Sequence, residues 1–513
     1  MFCICLRKTG VCKHRYKILL YRTVSRLLPR QRSGRMVFSE PGRRGAVAAY
    51  DLHRTNMSNN TPRKQLRGNA LGLIHAVAIG VAGTAPSYSI AASTAALIGA
   101  VGALAPASLL YCGLIMIGIA LAFVNLNRVY PDSGASYAWV GRVFNRDLGF
   151  LTGWAVLVAS ALFMVSVTIP ASTATLMMLA PDLADQQHWV IAVSIAWLLL
   201  ISGMVVRGTQ LTGRIQTVMT ATEIVVLLSL TISAIWQFGP QLLGHLSWSA
   251  ISPQAFSLES FASGAVVALF FFWGWDVTLN VSEETRDSAR TPGIAAGLAM
   301  LVILCAFMGF VTVTLVVLTQ PEIEASGANV VFAVAEKLFP RPWSYLAVLA
   351  VMLSSVGTLG TAVLLFGRTL FAKSRAGEMH ARWSRVHPIW DTPHLATYLI
   401  AVIGVLLLIL SLGFPSVDAV MKASINAIGL EIALYYGMAG LACAWHFRHQ
   451  ARRHWRVALL AVLWPLMSVL VLWTAAAMAA MGMDGITLAI GLGGIAVGVV
   501  PLMLFRGRRL PHD

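Results

Sequence analysis

An acid and an amide stand inside an otherwise apolar, aromatic segment, Ala268-Leu-Phe-Phe-Phe-Trp-Gly-Trp-Asp-Val-Thr-Leu-Asn-Val-Ser-Glu-Glu-Thr-Arg-Asp287. Asp276 and Asn280 lie beyond Gly274, and the segment runs out into charges from Glu283 to Arg290. A charged side chain at the centre of a membrane span costs about 2.5–3.5 kcal/mol on insertion scales, so it faces a cavity or a partner. A span interrupted by glycine, lined with aromatics and carrying one acid reads as a discontinuous helix at a substrate site. Two more acids stand in apolar runs: Glu223, in Thr220-Ala-Thr-Glu-Ile-Val, and Glu431, beside Tyr435 and Tyr436. Each could exchange a proton, ligate a cation or serve a structural partner; for Glu223 that partner would be Arg214 or a hydroxyl. Ser354, Ser355 and Thr358 also sit in an apolar run, where hydroxyls either line an ion site or bond to their own backbone.

A counterpart to the first segment lies near the start of the apolar sequence. Gly68-Asn-Ala-Leu-Gly-Leu-Ile-His-Ala-Val-Ala-Ile-Gly-Val-Ala-Gly-Thr-Ala-Pro-Ser-Tyr-Ser89 is interrupted at Gly80, Gly83 and Pro86. Proline donates no backbone hydrogen bond and clashes with the preceding turn, while glycine tolerates non-helical dihedrals. Backbone unwound in lipid is tolerated only where it lines a cavity or is packed in protein. A kink is the alternative for either segment alone, but paired interruptions point to a transporter site.

About 20 apolar residues cross a bilayer. On that scale twelve spans are expected, near 69–98, 103–127, 149–179, 189–206, 213–237, 260–282, 293–319, 343–371, 394–413, 417–446, 456–480 and 485–505. The interrupted spans are the first and the sixth. An odd offset of five spans turns a repeat upside down, so repeats near 69–237 and 260–446 form an inverted pair, with extra helices over 456–505. The fold class expected is therefore all-α and polytopic.

The composition, 57% hydrophobic and 12% charged over 513 residues, belongs to a membrane protein. A net charge of +17 would suggest nucleic acid as partner in a soluble chain, but the placement of the charge excludes that reading. Of 38 Lys and Arg, 16 precede the first span, 19 fall on alternate connections and the last segment, and only Lys337, Arg341 and Lys422 fall on the other side. The positive-inside rule then puts both termini in the cytoplasm. Residues 1–66 read as a basic, disordered extension, of which 1–56 could precede a natural start at Met57; residues 67–506 form the permeating domain and 507–513 a short tail. Cys3, Cys5 and Cys12 lack a convincing fourth metal ligand, Cys112, Cys305 and Cys443 read as packing inside spans, and no cofactor or metal is expected.

Three stretches resemble the amino acid–polyamine–organocation superfamily of permeases. Tyr130-Pro-Asp-Ser-Gly-Ala-Ser-Tyr-Ala-Trp139 with Gly149-Phe-Leu-Thr-Gly-Trp154 is similar to its Pro-x-x-Gly-Gly-x-Tyr and Gly-Phe-x-x-Gly-Trp pattern, with Ala135 in place of the second glycine. Trp273-Gly-Trp-Asp276 through Glu283-Glu284 to Arg290-Thr-Pro292 resembles its Gly-aromatic-acid and Glu-Glu…Pro pattern. Gly367-Arg-Thr-Leu-Phe-Ala372 and Asp391-Thr-Pro393 match more loosely. The resemblance covers roughly residues 67–506 and implies the leucine-transporter fold.

The resemblance also implies roles. Amides of Gly83-Thr84-Ala85 would bind a substrate carboxylate, although Ala85 departs from a Gly-Ser-Gly pattern and Pro86 is an addition. Phe271, Phe272, Trp273 and Trp275, around Gly274, would supply an aromatic wall. Asp276 would be a proton-responsive gate, with Glu223, Glu431, Ser354 and Ser355 as further coupling or gating candidates. Glu283, Glu284, Arg286 and Asp287 would latch an inner gate with Arg142 or Arg146, or be a solvated loop. The function implied is secondary active transport of a small-molecule amino acid or amine, by proton-coupled symport or exchange, across the cell membrane. A substrate sensor with a transporter body and a carrier of polyamines or organocations are the alternatives. No Gly-x-x-x-x-Gly-Lys-Ser/Thr loop or hydrolase motif indicates a primary pump or an enzyme.

Overall fold

A computed structural model describes residues 66–506 except 185, 246 and 248–250. The expectations for residues 1–65, for Cys3, Cys5 and Cys12, and for the tail 507–513 fall outside the described residues.

The chain is all helical in its main elements. Ten segments among the described residues are long and apolar enough to cross a membrane. The number is smaller than twelve for two physical reasons. Leu73–Val129 reads as one segment of 57 residues, about 85 Å if straight at 1.5 Å per residue and far more than one bilayer. It is in fact three helices: α1 (Leu73–Thr84), α2 (Pro86–Val101) and α3 (Ala105–Val129). Gly102, at φ +56, turns α2 into α3. The sixth span, in turn, is broken into pieces too short to qualify alone.

After α3 a loop leads to α4 (Ser136–Val143) and α5 (Arg146–Leu179), whose start is capped by the Asn145 side chain accepting from the Leu148 amide at 2.8 Å. A Cβ on Gly149 would stand 2.6 Å from Gly141 Cα, so the Gly-Phe-x-x-Gly-Trp stretch lets α5 lie directly on α4. Next come α6 (Gln187–Val206) and α7 (Thr209–His245), the latter kinked at Phe238 just before Pro240. The sixth span consists of α8 (Leu258–Ala268), a 3-10 turn over Phe270–Phe272, and α9 (Val277–Asn280). It is followed by α10 (Thr291–Val317) and two short helices the sequence reading did not anticipate, α11 (Gln320–Ser326) and α12 (Val330–Leu338). α13 (Tyr345–Arg375), α14 (His394–Leu410) and α15 (Val417–Ala451) complete the tenth span.

The eleventh span begins at Trp455, winds as a π-helix over Ala458–Leu463 and continues as α16 (Trp464–Met481). Pro465 supplies no amide to the Ala461 carbonyl, which instead accepts from the buried Cys443 thiol at 3.3 Å. Cys112 is buried as well, but Cys305 is exposed on α10, a correction to its expected burial. α17 (Gly485–Val497) and α18 (Val499–Phe505) close the chain. The last span has 11% of its apolar window buried, against 78% for α13, which puts it at the periphery and α13 in the core. α5 packs on both α13 and α15, and α1 packs on α7 and α10.

Candidate functional site

A helix break frees carbonyls on one side and amides on the other, and each must find a partner in an apolar surrounding. Between α1 and α2 the break is one residue wide. Ala85 takes left-handed dihedrals, φ 49 and ψ 68, while its amide still bonds to the Val81 and Ala82 carbonyls at 3.1 Å. On the α1 side, Thr358 donates to the Gly83 carbonyl at 2.8 Å and Ser89 to the Thr84 carbonyl at 2.7 Å. On the α2 side, Pro86 has no amide to offer, and Tyr88 N donates to Ser354 Oγ at 3.2 Å. This corrects the expectation of an unwound Gly83-Thr84-Ala85 stretch. Gly83 and Thr84 remain helical, and the amide of Ala85 is spoken for.

The two broken spans touch at their glycines. A Cβ on Gly83 would stand 2.2 Å from the Gly274 carbonyl oxygen, and one on Gly274 would stand 2.1 Å from that of Gly83. Gly274 also sits at φ +105, a conformation L side chains rarely take. A Cβ on Gly80 would meet Thr278 Cγ2 at 2.8 Å. In this conformation Gly80, Gly83 and Gly274 are points of helix contact.

Asp276 follows that crossing and is buried. Tyr436 Oη donates to its Oδ1 at 2.9 Å. The α15 phenols receive the other side of the break: Trp273 Nε1 donates to Tyr435 Oη at 2.6 Å, and Gly274 N to Tyr436 Oη at 3.4 Å. Tyr436 of α15 therefore holds both the acid and the unwound backbone, while Tyr435 beside it takes the Trp273 indole. The sequence reading noted these tyrosines only as neighbours of Glu431; their adjacency in a span was the available signal.

The aromatic wall divides. Phe271 and Phe272 turn to Phe307 of α10, with centroids 5.0 and 5.4 Å apart, and Trp275 stacks on Tyr436 and meets Phe123. Only Trp273 joins a row that includes α2: its ring meets Phe163 edge-on at 4.7 Å, and Phe163 meets Tyr88 at 6.2 Å. Phe163 and Tyr88 were not singled out from sequence.

Glu223, on α7, is buried, its Oε1 has no hydrogen-bond partner and it forms no ion pair with Arg214 among the described residues. Ser355 donates to the Val351 carbonyl of its own helix at 2.9 Å. Glu431 is buried on α15 against Gly494 of α17, and neither carboxylate oxygen has a partner among the described residues. Ser355 and Glu431 thus stand apart from the Asp276 group.

Comparison with known proteins fits this arrangement. The family described as "Amino acid permease" matches residues 71–500, most of the chain. The chain belongs to that family. The permease is 24% identical over 400 residues to the low-affinity putrescine importer PlaP of Escherichia coli, covering 74% of this chain and 82% of that protein. It is 26% identical over 339 residues to the human large neutral amino acids transporter small subunit 2, covering 64% and 60%. With the branched-chain amino acid permease BcaP of Bacillus subtilis it shares 24% over 312 residues, covering 56% and 63%. It is an integral, multi-pass membrane transporter and not an enzyme.

At the far end of the sixth span the permease gathers its charges. Arg368 of α13 meets Glu284 at 2.9 and 3.1 Å and Thr209 Oγ1 at 2.7 Å, and Thr209 also donates to Glu284; all are buried. Arg375 holds Glu283 at 2.8 and 2.6 Å, and Asp132 pairs with Arg142 at 3.1 Å. Ser133 N donates to Glu283 at 2.9 Å. Leu71 N donates to the Glu284 carbonyl and Arg286 N to the Leu71 carbonyl, both at 3.0 Å, which ties the start of α1 to the same exit. Burial opposes ionisation of Glu283, yet Arg375 and Ser133 together hold its pKa below the ordinary glutamate value. Asp132 moves the other way, because burial outweighs the pull of Arg375. The expectation that Arg142 or Arg146 would latch this cluster is corrected in its cations: Glu283 and Glu284 meet Arg375 and Arg368 from α13, and Arg142 meets Asp132 instead.

Proposed function

We propose that the permease carries its amino acid or related amine by alternating access, with proton coupling through Asp276. The observation that carries this reading is the contact of the two broken spans at Gly83 and Gly274, with an acid held by the Tyr436 phenol next to it. A backbone crossing without side chains can part and re-form as helices rock, and an acid tied through Tyr436 to the Gly274 amide senses which state is present. The charge cluster at the sixth-span exit then latches one side. The five-span offset between the breaks supports an inverted repeat over about 69–237 and 260–446, with the peripheral last spans appended. The alternating basic connections support cytoplasmic termini and insertion in the lipid bilayer of the cell membrane. Phe271, Phe272 and Trp275 stiffen the crossing, while Trp273 faces the substrate with Phe163 and Tyr88.

The test is uptake of radiolabelled amino acids and amines into proteoliposomes under an imposed pH gradient, with Asp276→Asn alongside. Gradient-stimulated uptake in the wild type that becomes insensitive to the gradient in Asp276→Asn is expected. Uptake equally stimulated in both proteins would remove Asp276 from coupling. Binding without uptake would return the sensor reading.

A further inference from the structure

Arg142, Arg368, Arg375 and Arg506 each meet a carboxylate, Asp132, Glu284, Glu283 and Asp147 in turn, so their charge is answered within the protein. The turn between α15 and the eleventh span is built differently. Arg448, Arg452, Arg453 and Arg456 are all exposed there, and none forms an ion pair among the described residues. No acidic residue occurs in the chain from Ile432 to Met483, so neither helix leading into the turn can supply one.

The turn is tight. The Arg453 and His454 amides both bond to the Gln450 carbonyl, at 3.0 and 3.1 Å, which crowds the four guanidiniums onto one short stretch. Two of them rest on tryptophan. Arg448 lies 4.1 Å from the ring centroid of Trp445 and donates to the Trp445 carbonyl, and Arg456 lies 5.5 Å from that of Trp455. Both rings are open to the surroundings, at 52% and 70% exposure, and tryptophan is the residue that sits at the headgroup level of a bilayer. A guanidinium laid on a ring face keeps N–H groups at its edge for an oxygen acceptor. The eleventh span has only 28% of its apolar window buried, which puts the turn at the lipid margin of the bundle.

The positive-inside rule accounts for the sign of this turn but not for its stacking on exposed tryptophans. Four like charges on one turn repel one another, and an external anion relieves that repulsion. At this depth the available anion is a phosphodiester headgroup, which arginine binds through paired N–H groups. We infer that the turn carrying Arg448, Arg452, Arg453 and Arg456 is a headgroup site for an anionic phospholipid, with Trp445 and Trp455 against its glycerol and upper acyl region. The site is separate from the broken spans and does not rest on the transport reading.

Native mass spectrometry of the purified, detergent-solubilised permease, titrated with phosphatidylglycerol or with phosphatidylcholine of the same acyl chains, measures the affinity of the first lipid bound. The expected result is a preference for phosphatidylglycerol of at least about tenfold that shrinks as salt is raised, the size of effect a few arginines at a charged surface produce. Arg452→Gln/Arg453→Gln should bring the two lipids to within about threefold of each other. Arg448→Gln/Arg456→Gln, which removes the stacked pair, should do the same and keeps the test alive if the first variant does not fold. Arg382→Gln/Arg385→Gln takes two exposed charges from another connection and should leave the preference intact. A wild type without preference overturns the inference, as does a preference unchanged in both turn variants. Equal loss in the Arg382→Gln/Arg385→Gln control also overturns it, because overall basicity and not this turn would then hold the lipid.

Discussion

The two breaks solve the same problem in opposite ways. Between α1 and α2 the helix changes course at one left-handed residue, Ala85, and hydroxyls from Thr358, Ser89 and Ser354 take the freed groups at once. In the sixth span the helix is interrupted over residues 269–276, with a short 3-10 turn, a glycine at φ +105 and phenols reaching in from α15. The first break is stitched by small hydroxyls on fixed helices and is rigid. The second hangs on long side chains shared between an acid and the backbone, and it is the one that can change hydrogen-bond partners. A narrow, capped break suits a binding end, whereas a wide, acid-bearing one suits a gate.

The harshest test of that contrast is Gly274→Ala. The added Cβ would stand 2.1 Å from the Gly83 carbonyl oxygen, on a residue already at φ +105. Strain of about 1–3 kcal/mol from the dihedral adds to a backbone collision, so a loss above about 4 kcal/mol and failure to yield folded protein are expected. Size-exclusion profile and thermal melt in detergent decide it. A well-folded, active Gly274→Ala would mean that the crossing opens easily and that the glycines are not its hinge.

Next in size is Arg368→Ala. It leaves Glu284 buried without its guanidinium at the exit of the wide break, a change that costs about 3–5 kcal/mol when one partner of a buried pair is removed. Arg368→Met with Glu284→Gln should recover much of that stability in the same melt. Recovery of stability without transport would assign the pair to gating; recovery of both would leave it a purely structural brace.

Thr358→Val sharpens the comparison from the narrow side. It keeps the shape and strips the donor from the Gly83 carbonyl, at a cost of about 1–3 kcal/mol for an orphaned buried group. Tyr436→Phe makes the parallel change at the wide break, and should reduce transport more than it lowers the melting temperature. Equal stability losses with equal transport losses would erase the distinction between the two breaks.

These tests turn on features that were unequally legible in sequence. The spans were readable because lipid demands long apolar runs, and the break positions because Pro86 and Gly274 are poor helix residues for different reasons. Their widths were not readable. A proline marks where a helix cannot continue but not how soon the next begins, and no local rule predicts a left-handed alanine before it. Arg368 and Glu284 are far apart in the chain, so their buried pairing is a tertiary fact that charge counting could only approximate. The same holds for Tyr435 and Tyr436, whose phenols matter because α15 places them against the sixth span. The short helices α11 and α12 escaped notice because the scale that finds spans ignores segments of their length.

A smaller effect tests whether the sixth-span exit is held by charge. Glu283 has its pKa lowered in the fold, so its contribution is complete above the unfolded glutamate value of about 4.3. It is lost as pH falls through the lower folded value. Asp132, raised by burial, gains stability on acidification and opposes it. Melting temperature between pH 6 and pH 3 should therefore drop less steeply in Glu283→Gln than in the wild type. An identical acid limb would show that Arg375 does not depend on Glu283 to hold the latch.

The smallest expected change is the most specific to the narrow break. Ala85 sits in left-handed dihedrals, which cost an L-residue about 1–2 kcal/mol, whereas glycine takes them freely. Glycine also has more backbone freedom to lose on folding, about 0.5–1 kcal/mol relative to alanine. Ala85→Gly should therefore leave the melting temperature unchanged or raise it slightly, since relief of strain exceeds or matches the entropy cost. The bonds from Thr358, Ser89 and Ser354 hold this break together without needing the methyl group. If Ala85→Gly instead lowers stability by 1 kcal/mol or more on that order-of-magnitude scale, about the whole entropic term, then Ala85 is packed rather than strained. Its methyl would then be what keeps the turn to one residue, and the rigidity assigned to the first break would come from side-chain packing in place of hydroxyl capping.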